Sequence, residues 1–266
     1  MIAIPIVLVA LFLLYIFLVA PKNKKEMNKF KSNYYAHRGL HNDVRAENSM
    51  SAFKAAVDAG YGIELDVHLS KDGKLVVFHD DTLDRVCGRE GKVVDFTAEE
   101  LATFKLCGTE DGIPLFSDVL ALVDGKVPLL VEIKETSSDS SVSRATCEML
   151  KSYKGEYIVE SFNPLSLRVV KEKLPDVPRG ILSHRYFERK KDRTLLFFLL
   201  QTLMLNCVCR PSFIAYDHRH ADSFSLRFCR GFFGVPTIAW TVRSTEEEHE
   251  ARKAGFDGII FENYIP

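Results

Sequence analysis

The cysteines of this sequence lack a pattern. All six, at positions 87, 107, 147, 207, 209 and 229, occur without a Cys-x-x-Cys pair or any paired zinc-ligand spacing. Their scatter through 266 residues excludes a disulfide framework and reads as reduced core thiols. Excess positive charge is missing too. With 35 Lys and Arg against 36 Asp and Glu, there is no concentrated basic face, so nucleic acid is excluded as a partner. The eight histidines form no tract, and no glycine-rich nucleotide turn follows a strand-like run. What is present, 47% hydrophobic and 27% charged residues, suits one globular domain of the larger α/β kind.

One stretch lacks charge altogether. The first twenty residues, "MIAIPIVLVALFLLYIFLVA", contain no charged side chain. A helix needs about 20 apolar residues to cross a bilayer, so residues 1–20 are predicted to be a transmembrane anchor. A cleaved signal peptide fits less well: nothing basic precedes the run, the run is long, and Leu18-Val19-Ala20 is a poor cleavage site. Lys22, Lys24, Lys25, Lys29 and Lys31 follow, with Glu26 the single acid among them. The positive-inside rule then makes 21–32 a basic linker and places the domain over 33–266 on the cytoplasmic face of the cell membrane.

From Asn33 onward, strand-like runs at 34–37, 61–66, 128–133, 157–161, 179–183, 213–217, 236–241 and 258–261 alternate with helical stretches. Eight such repeats in about 230 residues predict an α/β fold, a TIM-type (β/α)8 barrel. After the second strand, "VHLSKDGKLVVFHD" leaves no room for a helix, and Asp72-Gly73 signals a two-residue hairpin. Counting outward pairs Lys71 with Lys74, Leu69 with Val76 and Asp66 with His79. Segment 81–127 is then an insertion.

Strand alternation puts Glu64 and Asp66 on one face, and Glu132 with Lys134 on one face of another strand. Singly, each carboxylate is explained by a buried ion pair, such as Glu132 with Lys134. Together with His37 and His79 at strand ends, where active sites of this fold sit, they make a different pattern. Three oxygen donors suit a hard divalent ion, Mg2+ or Ca2+, better than zinc. Two imidazoles can share acid and base roles near neutral pH, and Arg38 and Lys134 supply positive charge for phosphate oxygens. This is the chemistry of phosphoryl transfer.

The motifs "AHRG", "ENSMSAF", "IELDVHLSKDGKLVVFHD", "VEIK", "ESFNP" and "IAWTV", in that order, resemble the glycerophosphodiester phosphodiesterase family from about Tyr34 to near the C-terminus. The resemblance implies a TIM-type barrel that uses a divalent metal to hydrolyse glycerophosphodiesters to glycerol 3-phosphate and an alcohol. Attack by the substrate's own glycerol hydroxyl, through a cyclic phosphate, is one route it implies. Carried over, Glu64, Asp66 and Glu132 are the metal ligands, and His37 and His79 the acid/base pair. Arg38 and Lys134 hold the phosphate, and Phe162 and Trp240 line the pocket. Two departures stand out. Ala46 replaces the family's Pro before Glu47-Asn48, and "GIIFENYIP" replaces a Gly-Ile-Ile-Thr-Asp type of ending. Glu47 either lies behind the site or completes the helix start with Asn48 as its cap.

His41, His184, His218 and His220 are expected in solvated loops, and His68 outside the chemistry. A second apolar run, 195–209, follows the basic "HRYFERKKDR". It is too short to span, so residues 185–209 are expected to dock on lipid or to form a buried or subunit-facing helix. Two rivals stay open: a lysophospholipase D-like enzyme acting on membrane lysolipids, and a non-catalytic membrane protein that binds phosphodiester head groups.

Overall fold

In the computed structural model, residues 3–22, 27–30, 33–135, 139–188 and 193–266 are described. The strands are β1 (Tyr34–Ala36), β2 (Gly62–Leu69), β3 (Leu75–Val77), β4 (Leu129–Ile133), β5 (Tyr157–Ser161), β6 (Arg179–Ser183), β7 (Phe213–Asp217), β8 (Thr237–Val242) and β9 (Gly258–Phe261). Eight of them are parallel and close into a barrel, because β1 pairs with both β9 and β2; β3 runs antiparallel to β2 outside the ring. The helices are α1 (Ala3–Val19), α2 (Met50–Ala59), α3 (Asp84–Cys87), α4 (Ala98–Ala102), α5 (Phe116–Val123), α6 (Ser141–Leu150), α7 (Pro164–Lys173), α8 (Leu195–Gln201), α9 (Asn206–Cys209), α10 (Phe224–Phe233) and α11 (Thr245–Lys253).

Alternation along each strand divides the core. Ile63, Leu65 and Val67 of β2, with Leu129, Val131 and Ile133 of β4, face outward beneath the helices. Tyr35, Leu130, Ile158, Leu182, Phe213, Ile238 and Ile260 fill the barrel. Glycine is required at two inward positions: a Cβ on Gly62 would lie 2.9 Å from the Tyr35 ring, and one on Gly180 2.1 Å from the Phe213 ring. The barrel helices start where the sequence offers side-chain caps. Ser49, Asn163 and Ser244 accept from Ala52, Leu165 and Glu247 backbone N–H groups, and Gly60 ends α2 in the left-handed region.

Four expectations change. The segment 21–32, read as a basic linker, also contributes to the core, because Met27 and Phe30 are buried against the interior cluster at the barrel floor; residues 23–26, 31 and 32 lie outside the described residues. The N-terminal apolar run is helical over Ala3–Val19, 17 residues, and ends before Pro21. Among the described residues, no helix is long and apolar enough to cross a membrane. The C-terminal part of α1 is instead fastened to the barrel: Tyr15 packs on Phe228, and Asn206 and Arg210 donate to the carbonyls of Val19 and Phe17.

The hairpin register slips by one residue. Ser70 and Lys74 close a three-residue turn with Gly73 at φ 73, so Leu69 pairs with Leu75 and His68 with Val76. The Phe78 N–H, not a group of His79, donates to the Asp66 carbonyl. Finally, the 195–209 run breaks into α8 and α9, with Leu203 at φ 59 between them. Of the basic segment before it, residues 189–192 lie outside the described residues. The insertion after β3 builds a small core of its own around Phe78, Leu83, Leu101 and Phe104, whereas α5 joins the barrel helices.

Candidate active site

Strand register gathers the carboxylates. Asp66 stands opposite Glu132 across β2 and β4, and Glu132 opposite Glu160 across β4 and β5. These three and Glu64 are all buried. Oxygens of Glu64, Glu132 and Glu160 lie within 4.8 Å of one another. Burial, reinforced by the neighbouring carboxylates, pushes Glu64 and Glu160 well above the usual carboxylate range. Burial also lifts Glu132, to about 7, although Lys134 counteracts it. Glu160 Oε2 has no hydrogen-bond partner. Three carboxylates that repel one another in a dry space, one with an orphaned oxygen, fit a hard divalent cation.

Asp66 has other company. Asn48 Nδ2 donates to its Oδ2 at 2.8 Å, and Lys134 Nζ lies 3.0 Å from its Oδ1 and 2.7 Å from Glu132 Oε1. Arg38 Nε is 3.7 Å from Asp66 Oδ2. Burial alone would raise Asp66, but Lys134, the His79 ring, Arg38 and the Asn48 hydrogen bond outweigh it and hold this carboxylate well below its ordinary range. Of the expected ligands, Glu64 and Glu132 thus come together with Glu160, while Asp66 is held by the two cations and Asn48.

Arg38 sits at φ 55, in the left-handed region, which costs about 1 kcal/mol or more for a residue with a side chain. Two bonds hold it there: its N–H donates to Glu64 Oε2 at 2.8 Å and its Nη1 to Glu47 Oε1 at 2.7 Å. Gly39 follows at φ 81, packed against Ala52 and Phe53 where a Cβ would crowd. Asn48, also at positive φ, is not the helix cap, a role Ser49 takes.

Each histidine is oriented by a carboxylate. His37 Nδ1 lies 2.9 Å from Glu262 Oε2, and His79 Nδ1 2.6 Å from Asp80 Oδ1. Burial depresses His37 to about 4, with the Glu262 bond opposing it. Burial would raise Glu262, but His37 and Arg243 bring it down to about 2. His79 is lowered by burial and by Lys134 and Arg38, against Asp66 and Asp80. Both rings are therefore neutral near pH 7, with Nδ1–H donating to an ionised carboxylate and Nε2 left with its lone pair. Arg85 ties the two halves together: its guanidinium donates to both oxygens of Glu47 and both of Asp80.

A cavity of about 230 Å³ is lined by His37, Arg38, Glu64, His79, Glu132, Lys134, Glu160, Phe162 and Trp240. Phe162 and Trp240 meet edge to face at 5.6 Å, and Trp240 Nε1 has no hydrogen-bond partner. Glu47 and Asp66 stand behind this surface, holding its cations. His68 Nε2 lies 3.2 Å from the His79 carbonyl oxygen, a contact to backbone only. Four other histidines differ from expectation: His41 is largely buried beside Glu262, His184 packs on Tyr186 at 4.0 Å, and His218 and His220 are largely buried beside Glu247 and Glu188.

Sequence reasoning missed Glu160, Glu262, Asp80, Asn48 and Arg85. Glu160 shares the inward alternation of Ile158, so its parity in "YIVES" was a usable signal. Glu262 falls where the family ending has Asp, so that departure keeps a carboxylate. Nothing in the sequence marks Arg85.

Residues 37–265 match the Glycerophosphoryl diester phosphodiesterase family. A glycerophosphodiester phosphodiesterase of Caldanaerobacter subterraneus is 33% identical over 246 residues, covering 86% of this chain and 93% of its own length. The crystal structure of the Thermotoga maritima glycerophosphodiester phosphodiesterase superposes with a TM-score of 0.67 at 28% identity, over 86% of this chain and 93% of that one. An Oleispira antarctica phosphodiesterase, solved with its product sn-glycerol 3-phosphate, shares the fold with a TM-score of 0.72 at 21% identity, over 88% of this chain and 94% of that one. On the strength of the family match across most of its length, the chain belongs to the glycerophosphoryl diester phosphodiesterase family.

Proposed function

We propose that this site hydrolyses a glycerophosphodiester to glycerol 3-phosphate and an alcohol, with His37 and His79 as the acid/base pair. The observation that carries this reading is the single small cavity that two carboxylate-oriented neutral imidazoles share with Arg38, Lys134 and three gathered carboxylates. Arg38 and Lys134 bind the phosphate oxygens. One imidazole takes the proton of the attacking oxygen at Nε2, and the other returns a proton to the leaving alcohol oxygen. Glu262 and Asp80 stabilise whichever ring is cationic at that moment. Phe162 and Trp240 line the cavity with apolar ring surface, and Trp240 Nε1 is a free donor for a substrate oxygen.

Glu64, Glu132 and Glu160 would hold a divalent cation, Mg2+ or Ca2+. Such an ion would neutralise phosphate charge and polarise the phosphorus–oxygen bond. The test offers glycerophosphocholine to the purified chain with Mg2+, Ca2+ or chelator and follows glycerol 3-phosphate by phosphorus NMR. Product formation that is lost on chelation, and lost in both His37→Gln and His79→Gln, is expected. No product from any glycerophosphodiester, or turnover indifferent to chelator, refutes the assignment.

The enzyme works at a cell membrane, with α1 embedded in lipid and the barrel on the cytoplasmic side. Helix α1 is apolar on every face, and Ile4, Leu8, Leu11 and Leu13 are each more than half exposed. A helix of that character is stable only in an apolar surrounding. Flotation with anionic liposomes tests this: the full chain is expected to float, and a chain lacking residues 1–22 that floats equally well rules α1 out as the attachment.

A further inference from the structure

A second, larger cavity of about 1000 Å³ opens beside the catalytic one. The two share His79, Glu132, Lys134 and Phe162, so they adjoin across these side chains. Their characters differ. At about 230 Å³ the catalytic part falls below the ~300–1,000 Å³ typical of ligand pockets. It fits a phosphate and a glycerol and little more. Away from the shared residues, Asp80, Asp81 and Glu135 contribute charge to the lining of the large cavity, but most of its exposed wall is apolar and includes Leu165, Leu196, Phe197, Leu200, Leu205 and Val208. These come from α7 and from the segment carrying α8 and α9, which stands where a barrel repeat would place one long outer helix. In its place are two short helices joined at Leu203, with φ 59. No side chain of α8 is buried, although all but one of its seven residues are apolar. Phe197 is turned onto Tyr186, ring centroids 5.0 Å apart, and Tyr186 packs in turn on His184 at the catalytic boundary. An apolar chamber of this size, open at one end to a phosphodiester site, is wasted on a soluble head-group diester.

We propose that this chamber binds the acyl chain of a single-chain glycerophospholipid, making the enzyme's substrate class a lysophospholipid; the inference rests on the phosphodiesterase reading above. With the glycerol and phosphate at His37, Arg38 and Lys134, the chain runs past Phe162 into the α8–α9 chamber. The reaction adds water across one bond. The phosphorus–oxygen bond to the head-group alcohol breaks, a phosphorus–oxygen bond to the water oxygen forms, and the alcohol leaves with a proton. The products are 1-acylglycerol 3-phosphate and the free alcohol.

Two measurements test this on the full chain. In the first, kcat/KM is measured for glycerophosphocholine and for 1-acyl lysophosphatidylcholines of increasing chain length, each kept below its micellar concentration. Each methylene entering an apolar chamber is worth about 0.8 kcal/mol, so kcat/KM should climb roughly fourfold per carbon until the chamber is filled. Leu200→Asp should flatten that slope. The second needs no turnover. Trp240 is the only tryptophan, and its ring contacts Phe162 and His184, both on the chamber wall. A lysophosphatidylcholine brominated along its chain, added with chelator, should quench Trp240 fluorescence saturably, and unbrominated lipid should reverse it. Turnover of glycerophosphocholine with no chain-length slope and no quenching overturns the acyl site and leaves the phosphodiesterase reading intact. Saturable quenching with no turnover of any diester sustains the acyl site and overturns the reaction.

Discussion

Replacing Glu262 by Gln tests the catalytic assignment at the group that orients His37. The carboxylate accepts from His37 Nδ1 at 2.9 Å and from Arg243 Nη2 at 3.0 Å, and His37 titrates at about 4 because burial outweighs this contact. While His37 is neutral the bond is an ordinary one. When the ring takes a proton from the attacking oxygen it becomes charge-assisted, and only then does it contribute about 1.5–3 kcal/mol. Removing the charge therefore raises the barrel site's activation barrier by that amount and lowers kcat roughly 10- to 150-fold, with KM little altered. The sign of the pH effect is fixed as well. Glu262 raises His37 against burial and the Arg38 charge, so without its negative charge the His37 pKa falls further and the acid limb of kcat/KM moves below about 4. Glu262→Asp, which restores a carboxylate, should recover part of kcat. The assay is glycerol 3-phosphate release from glycerophosphocholine across pH. A loss of less than threefold, or an acid limb that stays in place or shifts upward, refutes the role given to this pair.

Glu160→Gln removes one of three crowded buried carboxylates. The metal-free protein should unfold no more easily in urea, while calorimetric affinity for Ca2+ or Mg2+ drops at least tenfold; unchanged affinity removes Glu160 from the ligand set. Asp66→Asn leaves Lys134 and Arg38 buried with one fewer counter-charge. Breaking a buried pair in this way costs about 3–5 kcal/mol, read as a fall in urea midpoint larger than that of Glu47→Gln. His37 is held at about 4 in the folded chain against an ordinary 6.5, so the unfolded chain takes up its proton first. Stability present above pH 6.5 should then be lost as pH falls from 6.5 toward 4, on the order of 3 kcal/mol in all, and His37→Gln should make that decline shallower.

The barrel was legible because strand alternation and helix caps are local properties. Four strands, 157–161, 179–183, 213–217 and 258–261, have the limits read from the sequence. The hairpin was misjudged by one residue because Asp72-Gly73 serves two- and three-residue turns alike. Which turn forms depends on Asp72 Oδ1, which accepts from Ser70 Oγ at 2.7 Å and from the Ala98 backbone N–H at 2.9 Å, a tertiary contact no local pattern contains. The floor formed by Met27 and Phe30 was hidden for a similar reason: two apolar residues in a lysine-rich segment declare nothing until the open end of a barrel requires covering.

The site divides along the same physical line. Groups proposed above to meet the phosphate, namely His37, Arg38, His79 and Lys134, follow from strand-end positions and charge type, and the cavity brings all four together. Groups that act through another residue depend on distances set by closure of the barrel. Glu160 becomes a partner of Glu132 only when β5 pairs with β4, and Glu262 reaches His37 only because β9 closes on β1. Arg85 lies in the insertion after β3 and reaches Glu47 across 38 residues of sequence. There it spans Asp80 behind His79 and Glu47 behind Arg38, so one guanidinium fixes the carboxylates that orient the His79 ring and the Arg38 side chain. The insertion is thus part of the site's support, and its small core around Phe78 and Leu83 is what gives Arg85 a fixed starting point.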